Sequence, residues 1–249
     1  MMEIRITSRK NPLIQQVRRL LTSKKERESA GLFVADGTKL LDEAIRHYPG
    51  LDTVVLSDGV VAEIPEQVTV VRVPEDVMAY ISPMETPQGA LFLCRLPEQK
   101  AFAAQTGMLI LDGSQDPGNL GTILRTADAL NVPVVLLEGC ADPYSHKVVR
   151  ASMGAVLRTQ PILATWEQVR EECKKAGIPV AVTALSEKSQ DIRKADLSAM
   201  AVVIGSEGSG VRPEILAQAD TQLIIPMNDH CESLNAAVAA TIVMWEMKN

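Results

Sequence analysis

The stretch Met108-Leu109-Ile110-Leu111-Asp112-Gly113-Ser114-Gln115-Asp116-Pro117-Gly118-Asn119-Leu120-Gly121 decides the fold. Four consecutive apolar residues read as a strand covered on both faces, since a half-exposed strand would alternate polar and apolar side chains. The turn that follows carries the residues that start a helix. Ser114 or Asp116 can accept from the first free N–H groups, Pro117 suits the opening helical position, and Leu120 to Leu130 continues as helix. The pattern recurs twice. Ala201-Val202-Val203-Ile204 runs into Gly205-Ser206-Glu207-Gly208-Ser209-Gly210. Leu223-Ile224-Ile225 runs through Pro226-Met227-Asn228 to Ser233-Leu234-Asn235, with Ser233 as the expected cap of a helix over 233–247. Such units build an open α/β sheet, which collects ligands at the carboxyl ends of its strands.

Working outward, Val134 to Leu137 and residues 178–183 read as further strands, and 145–154 and 166–176 as helices. Leu96-Pro97-Glu98-Gln99-Lys100 has a proline, polar neighbours and no period, and reads as a linker. Before it, Leu13, Ile14, Val17, Leu20 and Leu21 recur at helical spacing and predict one helix over 11–29. Phe33-Val34-Ala35, Val54 to Leu56, Val68 to Val71 and Gly89 to Cys94 read as strands, and Thr38 to His47 as a helix. The expected division is a small α/β domain over 1–97 and a larger one over 105–249. From the residues alone the larger domain reads as a doubly wound parallel sheet.

Composition narrows the function classes. The chain of 249 residues is 46% hydrophobic and 22% charged, ordinary for a soluble globular protein. No apolar run reaches the ~18 residues that cross a bilayer, and the start is no signal peptide, so a cytoplasmic location is expected. The four cysteines (Cys94, Cys140, Cys173, Cys231) form no C-x-x-C pair and read as reduced structural thiols. The net charge of −6 hides an asymmetry. Residues 1–28 carry Arg5, Arg9, Lys10, Arg18, Arg19, Lys24, Lys25 and Arg27 against Glu3, Glu26 and Glu28. Eight against three is +5, which leaves −11 for the remainder. A basic segment on an acidic body points to phosphate contact on one face, with a solvated helix face as the alternative. Aromatic residues are absent from 1–28, so shape and phosphate contact are favoured over base stacking there.

The motifs exclude several chemistries. Gly205 to Gly210 lacks the G-x-G-x-x-G spacing, and no acidic ribose ligand follows at the distance a dinucleotide site requires. G-x-S-x-G does not occur, and Ser114, Ser206 and Ser209 lack an evident base. His230 beside Glu232 is neither a metal site nor a triad. Arg125 has an ordinary explanation in pairing with Asp128 three residues on. Glu207 is expected to lie buried among its glycines, accepting hydrogen bonds.

Together the three turns resemble the SpoU-type, TrmH-like branch of the SPOUT RNA methyltransferases, over about residues 108–247. Asn119 and Arg125, then Glu207 and Gly208, then Ser233 and Asn235 occur in the family's order. Lys147-Val148-Val149-Arg150-Ala151-Ser152-Met153-Gly154-Ala155 is similar to a helix of that family. Asn11-Pro12 and Phe33-Val34-Ala35-Asp36-Gly37 are similar to its appended RNA substrate-binding domain. The resemblance implies a C-terminal deep trefoil knot in a parallel sheet, a homodimer, and transfer of a methyl group from S-adenosylmethionine to a ribose 2′-hydroxyl without a metal. Large-subunit ribosomal RNA is the implied substrate; transfer RNA, or a non-catalytic role in ribosome assembly, is the alternative. Arg125, Asn119, Glu207, Ser233 and Asn235 are the implied catalytic set. Gly205, Ile225, Leu234, Gly208 and Met227 would contact the cofactor. Arg9, Lys10, Arg18, Arg19, Lys24, Lys25 and Arg150 would contact RNA.

Overall fold

The computed structural model describes residues 3–99, 101–228, 230 and 233–249. Lys100 of the expected linker, Cys231 and Glu232 lie outside the described residues. The chain forms two compact units: residues 1–98 with 142–160, and residues 99–141 with 161–249.

The first unit begins with β1 (Glu3–Arg5) and α1 (Pro12–Thr22). Asn11 Oδ1 accepts from the Leu13 N–H at 2.9 Å, and Pro12 follows with its φ already suited to a helix. Ile14, Val17 and Leu20 form the buried stripe. The single helix expected over 11–29 is in fact two. Ser23 is extended (φ −124°, ψ 117°), ends α1, and caps α2 (Lys24–Ala30) by accepting from the Glu26 N–H at 3.2 Å. A serine hydroxyl competes for backbone groups, so it serves a helix start better than a helix interior. The apolar stripe, continuous across the break, gave no sign of it.

Next come β2 (Leu32–Asp36), α3 (Thr38–His47), β3 (Leu51–Ser57), β4 (Thr69–Val73), α4 (Glu75–Ile81) and β5 (Ala90–Arg95). The sheet order is β1-β4-β3-β5-β2, parallel among the first three and antiparallel where β5 meets β3 and β2. β1 and α4 escaped the sequence reading. β1 is three exposed residues with no apolar run, and α4 is a short helix behind Pro74. Val34, Val55, Val71 and Leu91 from the strands meet Ile14, Val17 and Met78 from the helices in one core.

The second unit opens with β6 (Met108–Leu111), α5 (Pro117–Leu130) and β7 (Val134–Leu136). The chain then contributes α6 (His146–Ala151) and α7 (Ala155–Arg158) to the first unit. The helix expected over 145–154 is therefore broken at Ser152–Gly154, where Met153 (φ +50°) and Gly154 (φ +82°) turn the chain. The second unit resumes with β8 (Ile162–Leu163), α8 (Trp166–Ala176), β9 (Val180–Thr183), β10 (Gln190–Asp191), β11 (Ala201–Ile204), α9 (Pro213–Gln218), β12 (Thr221–Ile224) and α10 (Ala236–Glu246). Its sheet, ordered β10-β12-β9-β11-β6-β7-β8, is parallel throughout. The wholly apolar strands are buried, as two-sided coverage demands: every residue of β6, β7 and β11 is inaccessible. Strand order runs outward from β6 through β7 to β8, then restarts on the far side of β11, so a crevice opens above β11 and its neighbours. Among the described residues no helix is long and apolar enough to cross a membrane.

One buried ion pair fastens the 142–160 segment into the first unit. Asp142 accepts from Arg27 Nε at 2.8 Å and Nη2 at 2.5 Å, while Arg27 Nη1 donates to the Leu20 carbonyl at 2.5 Å. Arg27, counted above in the basic segment, is thus internal, with 5% of its surface exposed. Asp142→Ala would leave that buried guanidinium with the Leu20 carbonyl but no carboxylate, and is expected to cost about 3–5 kcal/mol. Equilibrium denaturation of the full chain measures it; a loss no larger than that of an exposed pair such as Arg95–Asp52 would show the pair to be dispensable.

Candidate functional site

Three turns leave the carboxyl ends of β6, β11 and β12 and converge by hydrogen bonds between side chains. Asp116, rather than Ser114, caps α5, its Oδ1 accepting from the Asn119 N–H at 2.7 Å. Asn235, rather than the expected Ser233, caps α10, its Oδ1 accepting from the N–H groups of Ala237 at 2.9 Å and Val238 at 3.3 Å. Asparagine accepts at one atom and donates from another, which serine cannot do at that reach. While its oxygen caps the helix, Asn235 Nδ2 donates to Asn119 Oδ1 at 3.0 Å. Asn119 Nδ2 in turn donates to Glu207 Oε1. The result is a polar link, Asn235 to Asn119 to Glu207, across all three turns. Glu207 is exposed rather than buried among its glycines, because its turn projects from the strand end.

The middle turn is built around glycine for a steric reason. A Cβ on Gly205 would lie 2.0 Å from the Gly210 carbonyl carbon and 2.2 Å from the Val211 nitrogen. Only a residue without one allows the chain to double back so closely. The return is closed by backbone bonds between Ser206 and Gly210, at 3.1 and 3.0 Å. Beyond it, Arg212 donates its backbone N–H to Asp112 Oδ2 at 2.8 Å and its Nε to Asp112 Oδ1 at 2.6 Å. Asp112 is buried at the end of β6, so this pair ties the second turn to the first. The sequence reading missed it. The available signal was a charged residue directly abutting a buried apolar strand, which requires a partner.

These turns enclose a pocket of about 560 Å³. Gly205, Gly208, Ile225, Met227 and Leu234, the expected cofactor contacts, all line it, as do Glu207 and Ser233. Thr183, which ends β9, and Ala184 to Ser186 after it form a wall that no motif had indicated. Asn119 and Asn235 reach it through Glu207. Arg125 is exposed on α5 and is not part of the lining. It lies on the exposed side of that helix, whose buried residues are Leu120, Gly121, Ile123, Leu124 and Ala127.

The expected RNA contacts lie in the first unit. Arg9, Lys10, Arg18, Arg19, Lys24, Lys25 and Arg150 are all exposed. Arg9 pairs with Asp76, Arg19 with Glu26, and Lys24 with Glu28, while Arg150 donates to Met84 Sδ. Arg18 stacks on the Tyr80 ring, 4.3 Å from its centroid.

Other nucleophiles are poorly disposed. Burial pushes the Cys94 and Cys140 thiols upward, and Cys173 up to about 11, so each stays protonated at neutral pH. Among the described residues no group of three or more His, Cys, Asp and Glu is placed to hold a metal ion.

The sequence profile of the SpoU rRNA methylase family matches residues 107–245, and that of the MRM3-like substrate binding domain matches residues 11–91. The chain is 32% identical to the 23S rRNA (guanosine(2553)-2'-O)-methyltransferase RlmP of Bacillus subtilis (strain 168), over 98% of each protein. It superposes on an AdoMet-bound rRNA methyltransferase from Sinorhizobium meliloti with a TM-score of 0.87 and 29% identity, covering 99% of this chain and 97% of that one. A TrmH-family protein from Porphyromonas gingivalis, described as a possible RNA methyltransferase, gives a TM-score of 0.84 at 34% identity, over 96% and 98%.

The steric reading of the middle turn is testable. Gly205→Ala is expected to destabilise the chain by at least about 2 kcal/mol, as strain at a crowded backbone does. Gly208→Ala, whose Cβ would meet nothing within 4 Å, should change stability by less than about 0.5 kcal/mol. Equal effects in chemical denaturation would sink the close-crossing argument.

Proposed function

This chain belongs to the SpoU rRNA methylase family, and on that premise we propose that it transfers a methyl group from S-adenosylmethionine to a ribose 2′-hydroxyl of large-subunit ribosomal RNA. The observation that carries the reading is the amide link, which joins a pocket of cofactor size to the helix that bears the Arg125 guanidinium. The specific substrate follows the relative named for a guanosine of 23S rRNA.

The pocket's own residues suit the cofactor. Its volume lies within the usual range for a small-molecule site. The lining alternates apolar side chains with glycine backbone, giving an adenine ring flat walls and N–H and C=O groups to bind. Gly208 leaves open space at its Cβ position, so a ligand can lie against the main chain there. When bound, the cofactor supplies an electrophilic methyl group on a sulfonium sulfur. The protein's task is then to hold the ribose oxygen in line and to stabilise charge as its proton leaves.

In this reading Arg125 has that task. An arginine stays protonated, so it acts as a donor and a fixed charge rather than as a base. Exposed and with no carboxylate partner among the described residues, Arg125 is available to bind a phosphate of the substrate and to stabilise the developing alkoxide. The proton passes to that phosphate or to water. Asn119 lies six residues before it, about 9 Å along the same helix. Its amide, fixed between Asn235 and Glu207, sets the position of α5 relative to the pocket. Ser233 and Glu207 orient the site's hydrogen bonds at the pocket wall. RNA is selected by the reaction itself, because DNA lacks the 2′-hydroxyl.

Assembly belongs to the same proposal. α10 packs on α5 and is apolar on every side, yet leaves Val238 48% and Trp245 58% exposed. An unpartnered apolar face on that helix supports a homodimer, consistent with the family resemblance. The trefoil knot and a cytoplasmic location are likewise part of the proposal.

Arg125→Ala is expected to reduce transfer of labelled methyl to RNA by at least about a hundredfold, the scale of removing one preorganised electrostatic donor. Affinity for S-adenosylmethionine, measured by calorimetry, should stay within about twofold. Retained transfer would remove Arg125 from the mechanism. Mapping ribose methylation on ribosomal RNA with and without the protein identifies the nucleotide.

A further inference from the structure

The basic segment is less available to RNA than its charge implies. Arg5 is paired with Asp58 at 2.8 Å, Arg9 with Asp76 at 3.1 Å, Arg19 with Glu26 at 3.4 Å and Lys24 with Glu28 at 3.7 Å, and Arg27 is internal with Asp142. Each pair lowers the field a phosphate would meet and must open, or share its donors, before it binds one. Among the described residues, Lys10, Arg18 and Lys25 have no carboxylate within ion-pair distance. Lys10 and Lys25 are exposed, flexible point charges. Arg18 differs because a specific contact orients it.

That contact comes from α4, the helix the sequence reading did not find. Tyr80 presents its ring to Arg18, with the guanidinium carbon 4.3 Å from the ring centroid, and Arg9 lies 5.3 Å from the same centroid. The ring is itself held. Gln15 Nε2 donates to the Tyr80 hydroxyl at 3.3 Å and to the Arg9 carbonyl at 2.6 Å. Hydrogen bonds from Gln15 and Arg18, with the cations beside it, draw the Tyr80 phenol below its ordinary pKa. The absence of aromatics from residues 1–28 is thus corrected by tertiary structure: the segment borrows one from position 80. A guanidinium held over a ring loses less rotamer freedom on binding than a free side chain does, and a guanidinium plane is one on which nucleobases stack.

We propose that the Arg18–Tyr80 stack is the principal contact of the first unit with an unpaired nucleotide of its RNA substrate, the guanidinium donating to a phosphate while the adjoining base lies on the stack. Arg9 is the adjacent second cation. Arg19, one residue away, is paired with Glu26 and, unlike the likewise paired Arg9, has no contact with the Tyr80 ring, so it contributes little although sequence alone ranks it with Arg18. The inference rests on the reading of this chain as an RNA enzyme and names the chemistry its first unit recognises.

The test is fluorescence anisotropy of the full-length protein with a labelled oligouridine of about twelve nucleotides and with an RNA duplex of the same length. Arg18→Gln is expected to weaken oligouridine binding about tenfold and to reduce the slope of log affinity against log salt by about one. Arg18→Lys, which keeps the charge and loses the plane, should weaken it about threefold, and Tyr80→Leu about fivefold. Tyr80→Phe, which keeps the ring, and Arg19→Gln should each stay within about twofold. Unchanged thermal midpoints exclude misfolding as the cause. An Arg19→Gln effect as large as that of Arg18→Gln, no effect of Tyr80→Leu, or equal sensitivity of duplex binding would overturn the proposal. Those outcomes leave the methyl-transfer reading intact if labelled methyl still reaches RNA. Conversely, intact oligouridine binding with no transfer to any RNA would sink that reading while leaving the stack in place.

Discussion

The chain of amides from Asn235 through Asn119 to Glu207 is the constraint on which the site depends. Its members are separated by 116 and 88 residues, so nothing local brings them together. What makes the link stiff is that each asparagine is already committed elsewhere. Asn235 is fixed by capping α10, and the backbone N–H of Asn119 by the Asp116 cap of α5. An aspartate at position 235 would keep the cap but lose the donor; a serine would keep the cap but not reach Asn119. The amide is the side chain that satisfies both demands.

Two further fastenings hold the pocket open to that link. The Gly205 crossing sets the path of the second turn, and the Asp112–Arg212 pair anchors its far end to the first. All lie at the carboxyl edge of a sheet whose central strands β6, β7 and β11 are buried, so the turns stand on a rigid base. The described thiols are held protonated by burial. Among the described residues the pocket lining offers backbone groups, serine hydroxyls and the Glu207 carboxylate, with the amides of Asn119 and Asn235 joined to it. Such a set positions and stabilises charge better than it abstracts protons, which suits a reaction whose methyl group is already activated.

The first unit shows how a formal charge differs from an available one. A balance of +5 over residues 1–28 reads as a binding face, but most of those cations are partnered within the unit and one is buried. The exposed surface pairs themselves add little stability. Their larger effect is to decide which cations remain free for a phosphate.

Much was legible in the sequence because it depends on local spacing. The buried runs 108–111, 134–136 and 201–204 declared a parallel sheet, since only strands covered on both faces dispense with polar alternation. The helices over 38–47 and 166–176 followed from their apolar period. The expected cofactor residues share one pocket because all of them follow strand ends. What the sequence alone could not decide was every matter of partnership. Ser23 breaks a helix whose apolar stripe runs on unbroken, and the cap of α10 moves from Ser233 to Asn235 because a second amide waits across the site. Residues 142–160 join the first unit through Asp142 and Arg27, 115 positions apart. Tyr80 completes a basic segment far from it in the chain. Periodicity records which face of an element is buried; which distant group meets a polar side chain is fixed only when the sheets and helices have packed.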